Sequence, residues 1–118
     1  MASWVKQSSY LSGAKAVARD ARHSASALEK ATTSSVDLHT VCGVLLVDTE
    51  SANASLPTPD NRATTLLSDA YTNLGAGANE CYNAAASTSA RATALKSLAK
   101  GLNDLAEASA RIASASAT

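Results

Sequence analysis

The sequence predicts an all-α chain folded as an antiparallel, up-down-up-down four-helix bundle, Ala-rich and closely packed, and three observations carry that expectation. Alanine, the strongest helix former, fills 27 of 118 positions, and serine fills another 17. Apolar residues recur at steps of three and four through nearly the whole chain, the pattern of a helix that buries one face. Both prolines, Pro57 and Pro59, fall in one short segment near the middle.

A single domain, 1–118, is expected, with helices over roughly 3–31, 35–55, 59–86 and 89–115. The first stripe is Trp4, Leu11, Ala14, Ala18, Ala21, Ala25 and Leu28. The second is Leu38, Val41, Cys42, Leu45 and Ala52. Its middle, Val44-Leu45-Leu46-Val47, is apolar on more than one face, which predicts the most enclosed helix. The third is Leu67, Ala70, Tyr71, Leu74, Ala78, Cys81 and Ala85, and the fourth is Leu95, Leu98, Leu102, Leu105, Ser109 and Ile112. The breaks agree with this division. Ser34 and Asp37 have N-capping spacing, Thr58-Pro59-Asp60 reads as a cap, a first helical proline and an acid, and Ser87-Thr88-Ser89 separates the last pair. Short connections make successive helices antiparallel.

Composition narrows the function. Leu, Val and Ile supply only 20 side chains and Phe is absent, so the core is thin. Zero net charge and regular periodicity argue against disorder. No apolar run is long enough to cross a bilayer, and the start, Met1-Ala-Ser-Trp-Val-Lys, lacks a signal-peptide stretch. As written the chain reads as cytoplasmic, with export by a leader outside this sequence left open. Alanine on the inner faces lets helix axes approach closely, which leaves little interior room for a small molecule.

Chemical constellations are sparse. Cys42 and Cys81 both lie on inward stripes, either as a disulfide stapling the central hairpin or as two small buried hydrophobes. Folding the hairpin at Pro57 sets Cys42 level with Thr72, about 13 Å short of Cys81 along the axis. His39 shares a helix face with Cys42, and with Cys81 these are three soft ligands, but no fourth stands at zinc spacing. Gly75-Ala76-Gly77 lacks the strand, the third glycine and the Lys-Ser or Lys-Thr of a phosphate loop, and it reads as a place where another backbone comes close. There is no Gly-x-Ser-x-Gly and no pair of carboxylates on a buried stripe. Catalytic residues, cofactors and metal are therefore expected to be none, and the chain is not expected to be an enzyme.

Charge is unevenly spread. The first and fourth helices are basic, whereas 36–60 holds Asp37, Asp48, Glu50 and Asp60 with no Lys or Arg. This predicts either cross-helix pairing at the seams or a polar interaction surface. The basic side has few charges and no interleaved aromatics, so nucleic acid is not an expected partner. Leu56-Pro-Thr-Pro-Asp60, with Leu66-Leu67, Ala70-Tyr71, Leu74, Cys81-Tyr82 and Cys42, resembles small Ala-rich helical proteins of actinobacteria, a group whose resemblance implies no site and no assigned function. The small helical secretion substrates named for a Trp-x-Gly turn are similar in composition only, since the single Trp is residue 4 and no glycine follows at the right spacing. The expected role is a non-catalytic interaction protein, binding a protein partner or itself as a homodimer, with spare apolar groups such as Val17, Leu46 and Leu66 outside. The alternative is a small-ligand or metal-binding bundle.

Overall fold

A computed structural model describes residues 1–117 as five helices: α1 (Ala2–Gln7), α2 (Tyr10–Glu29), α3 (Ser35–Asn53), α4 (Asn61–Asn83) and α5 (Thr88–Ser116). No strand occurs among the described residues. The long helices pack in chain order, α2 on α3, α3 on α4 and α4 on α5, while α2 meets α5 more loosely. Cross-helix hydrogen bonds pair rising with falling residue numbers, as in Asn73–Asp104 and Glu80–Ser97. The molecule is elongated, 48 × 20 × 16 Å.

The first predicted helix is in fact two. The chain turns extended at Ser8, whose Oγ accepts from Tyr10 N at 3.2 Å, and Ser12 Oγ donates to Ser9 O at 3.2 Å. Serine competes for backbone groups in this way, so a Ser-Ser pair interrupts a helix that the alanines would otherwise continue. The break folds Trp4 onto Tyr10, with ring centroids 5.2 Å apart.

One expected cap forms as spaced, with Ser34 accepting from Asp37 N, and Ser87, at the break before the last helix, caps α5 by accepting from Ala90 N. The other expected cap is displaced. Asp60, not Thr58, caps α4, its Oδ2 accepting from Ala63 N at 2.9 Å, so the helix starts at Asn61 and Pro59 lies outside it. Thr58 is buried instead, donating through Oγ1 to Asp60 O at 2.7 Å and through its backbone N–H to Thr64 Oγ1 at 2.9 Å. At the opposite end the buried Arg91 guanidinium donates to the carbonyls of Ala85, Lys30 and Thr33, tying the α4–α5 connection to the C-terminal end of α2. A cation is favoured where a helix exposes its last carbonyls.

The core is as thin as the composition requires. Val17, Leu38, Leu45, Leu67, Leu74 and Leu98 are fully buried, spaced by Ala21, Ala63, Ala70, Ala78, Ala94 and Ala108. Its closest seam lies between α4 and α5. A Cβ built on Gly101 would stand 2.5 Å from Leu74 Cγ and 3.0 Å from Leu74 N, and one on Gly77 would stand 2.8 Å from Leu98 Cδ2 and 3.2 Å from Leu98 N. Each leucine thus sits over the glycine of the opposite helix. Gly75 is different, with only ordinary contact to Thr49 Cγ2 at 3.7 Å.

Cys42 and Cys81 are joined, with Cα atoms 5.8 Å apart. The Pro57 fold line placed them out of level because it ignored the connection. Helix α3 stops at Asn53, and seven residues carry the chain onward before α4 begins. The hairpin is therefore centred near Asn61 and Arg62, which also brings Thr49 opposite Gly75.

Two helix faces, those of α2 and α5, are rotated from the expected ones. Helix α2 buries Tyr10, Val17, Ala21, Ser24 and Leu28, so Val17 is core rather than surface, and Leu11 is exposed. Helix α5 centres on Ala94, Leu98, Gly101, Leu105, Ala108 and Ile112, which leaves Leu95, Leu102 and Ser109 half-buried. Helix α3 is not the most enclosed. Val36, Val44 and Val47 are exposed, because α3 has neighbours only on the α2 and α4 sides. Ala85 lies beyond the end of α4 with φ 51° and is exposed, so it drops out of the third stripe.

The glycine seam gives opposite outcomes for similar substitutions. Gly101→Ala and Gly77→Ala each gain about 1 kcal/mol of helix propensity, but the clash reaches backbone that cannot swing aside, so overpacking wins and each loses a net of about 1–2 kcal/mol. Gly75→Ala meets open contact and gains up to about 1 kcal/mol. Chemical denaturation of the three variants checks the order.

The bridge spans a sequence separation of 39, and chain-entropy arithmetic for a loop of that length gives about 3–4 kcal/mol. Reduction should therefore lower the Tm by on the order of 10–15 °C for a chain of this size. Thiol titration of the unfolded, unreduced protein should find no free thiol, and two thiols would contradict the bridge.

Candidate functional site

The rotation of α2 and α5 leaves the seam between them open. An open groove of about 830 Å³ runs along it, floored by Tyr10, Ala14, Ala18, Leu102, Leu105 and Ile112, with Val5 of α1 at one end. Alanine makes this groove: a helix pair lined with small side chains on one side is not filled by its own residues. Leu11 stands on its edge, 59% exposed. Tyr10 closes the floor by donating its hydroxyl to Ser109 Oγ at 3.2 Å. Among the described residues Lys15 and Arg22 are the only charged ones lining the groove. They stand seven residues apart on α2, hence on one face, about 10 Å from each other along the axis.

A second unpartnered surface lies on α3. Val36, Val44 and Val47 are 72%, 48% and 61% exposed, and with Thr40 they follow the helical spacing of a single face turned away from Leu38, Cys42, Leu45 and Thr49. Asp37 and Glu50 lie on the same helix near its two ends, and α3 contains no Lys or Arg. His39 stacks on Tyr82 beside it, with centroids 4.3 Å apart.

Part of the charge is paired within the molecule. Arg111 pairs with Asp60 across 2.8 Å, and Lys100 pairs with Asp104 within α5. The hydrogen bond from Arg111, then that from Ala63 N, lowers the Asp60 carboxyl to about 2. Asp20 was not legible as a functional position, since an acid on the inner face of α2 breaks the apolar stripe. It is buried, takes two contacts of 3.2 Å from Arg19, and leaves Oδ2 without an N–H or O–H donor from the ordinary hydrogen-bonding groups. Asp48 of α3 lies beside it, 4.0 Å from the Arg19 guanidinium. A hydrogen bond with Asp20 raises the Asp48 carboxyl above the usual carboxylate range, burial and repulsion from Asp20 add to this, and Arg19 opposes it.

The soft-ligand constellation does not assemble. Cys42 and Cys81 are spent on each other, and His39 is exposed against Tyr82. Among the described residues no group of three His, Cys, Asp or Glu converges, and no helix is long and apolar enough to cross a membrane.

The two carboxyls have opposite signs in stability. Asp60, lowered in the folded chain, contributes stability that is present above the ordinary carboxylate value and lost as pH falls toward about 2. Asp48, raised, contributes stability present below the ordinary value and lost as pH rises through its own. Asp48→Asn removes that loss while keeping a donor for Asp20. Its Tm should exceed that of the parent chain at about pH 7 and converge with it near about pH 3, as a series of melting curves will check. Comparison with family models, with curated proteins and with solved structures finds no match for this chain.

Proposed function

We propose that this chain is a non-catalytic helical interaction protein, an up-down-up-down bundle of four long helices with α1 folded against one end, which binds a helix of a protein partner in the α2–α5 groove. The single observation that carries the reading is the groove itself: apolar along its floor, open along its length and flanked by the paired cations Lys15 and Arg22. Contiguous apolar surface rimmed by polar groups marks interaction sites on proteins of this size. A helix laid between two others buries its apolar face by the same small-residue packing that joins α4 to α5. The exposed valines of α3 supply a second surface of the same kind. The bridge between Cys42 and Cys81 favours an oxidising compartment over the cytoplasm that the sequence suggests.

Native mass spectrometry of the purified protein separates this from a carrier of small molecules. The expected result is a bare polypeptide mass, in any oligomeric state. A stoichiometric organic or metal adduct on the folded chain would overturn the reading in favour of ligand carriage.

A further inference from the structure

We infer that the occupant of the α2–α5 groove is the α3 face of a second copy of this chain, so that molecules associate head to tail. The inference rests on the groove being a helix-docking site and names its partner.

Three observations converge on it. The first is charge. Among the described residues Lys15 and Arg22 line the groove and no carboxylate does, whereas α3 carries Asp37, Asp48 and Glu50 and no Lys or Arg. Asp48 faces Arg19 within its own molecule, which leaves Asp37 and Glu50 near the two ends of the valine face. Surfaces of opposite sign select each other and reject their own kind. Two grooves would bring four cations together, and two α3 faces would bring four acids together, so a symmetric pairing of either surface with itself is disfavoured.

The second is length. The valine face runs from Val36 to Val47, eleven helical steps or about 16 Å, and the α2 lining of the groove runs from Tyr10 to Arg22, twelve steps or about 18 Å, at the standard rise. The third is position. No residue of α3 lines the groove, so one molecule presents both surfaces at once and neither blocks the other. A contact between two different surfaces of the same chain is heterologous, and it propagates into a ring or a filament unless rotation closes it early.

Leu11→Glu spoils the groove and leaves the valine face intact, and Val47→Glu does the reverse. Both residues are exposed, so neither change disturbs the core. Should Val47→Glu fold poorly by circular dichroism, Val36→Glu, at 72% exposure, serves as the second variant of that face. Sedimentation velocity and equilibrium of the full chain should show mass rising with concentration to a trimer or beyond. Each variant alone should weaken association by more than about tenfold. Mixed in equal amounts, the two variants should form a one-to-one heterodimer that grows no further, because only one intact groove and one intact valine face remain. A parent chain that stays monomeric up to about 1 mM overturns the inference, as does a mixture that stays monomeric. Either failure leaves the groove reading standing so long as the native mass is free of adduct, whereas an adduct removes both.

Discussion

The arrangement depends on how near α4 and α5 come to each other. Gly77 and Gly101 have no side chain, and each receives the leucine of the facing helix, Leu98 on Gly77 and Leu74 on Gly101. That reciprocal fit holds only when both glycines point at the opposite helix. It therefore sets the rotation of α5 about its axis. With Gly101 turned to α4, the inward line runs through Ala94, Leu98, Leu105, Ala108 and Ile112, and Leu95 and Leu102 are carried round toward α2. The open groove is thus the far-side consequence of the tight seam. A bulkier residue at position 101 would push the helices apart and change both at once.

The disulfide acts on the same frame from the other side. It fixes α3 against α4 at one level, and Thr49 opposite Gly75 shows the same register two turns away. A core with few large side chains gains little from burial, roughly 25 cal/mol per Å² of apolar surface. In such a core a covalent tie matters more than it would among phenylalanines, since total stability of a domain is only about 5–15 kcal/mol. The pairing of Cys42 with Cys81 spares α3 from needing a large inner face, and its valines remain on the outside.

What the sequence made legible follows from contrast between residue types. The third stripe was readable because Leu67, Tyr71, Leu74 and Cys81 differ sharply from Thr65, Asp69, Thr72 and Asn79 around them. In α2 and α5 alanine occupies inner and outer faces alike, so a shift of one residue hardly alters the pattern. That shift is what hid Val17 in the core and exposed Leu11. Polar groups on inner faces, Asp20 and Ser24, were invisible for a related reason: an apolar stripe omits them by construction. The Ser8-Ser9 break and the Asp60 cap are local backbone competitions, settled by which hydroxyl or carboxylate reaches a free N–H first. The joining of Cys42 to Cys81 was open in the sequence because the register depends on a connection that runs on along the axis before it turns.

The acid pair between α2 and α3 links this economy to conditions. Arg19 reaches both Asp20 and Asp48, but a single guanidinium facing two carboxylates, one of them buried, leaves negative charge in excess. Burial makes that excess costly and holds the Asp48 carboxyl above its ordinary value. The α2–α3 seam is consequently favoured by lower pH through Asp48, while the Arg111–Asp60 tie has the opposite preference. The seam that responds to pH joins α3, with its exposed valines, to α2, which carries Lys15 and Arg22. The chain thus places a pH-sensitive contact between α2 and α3, and its closest packing between α4 and α5.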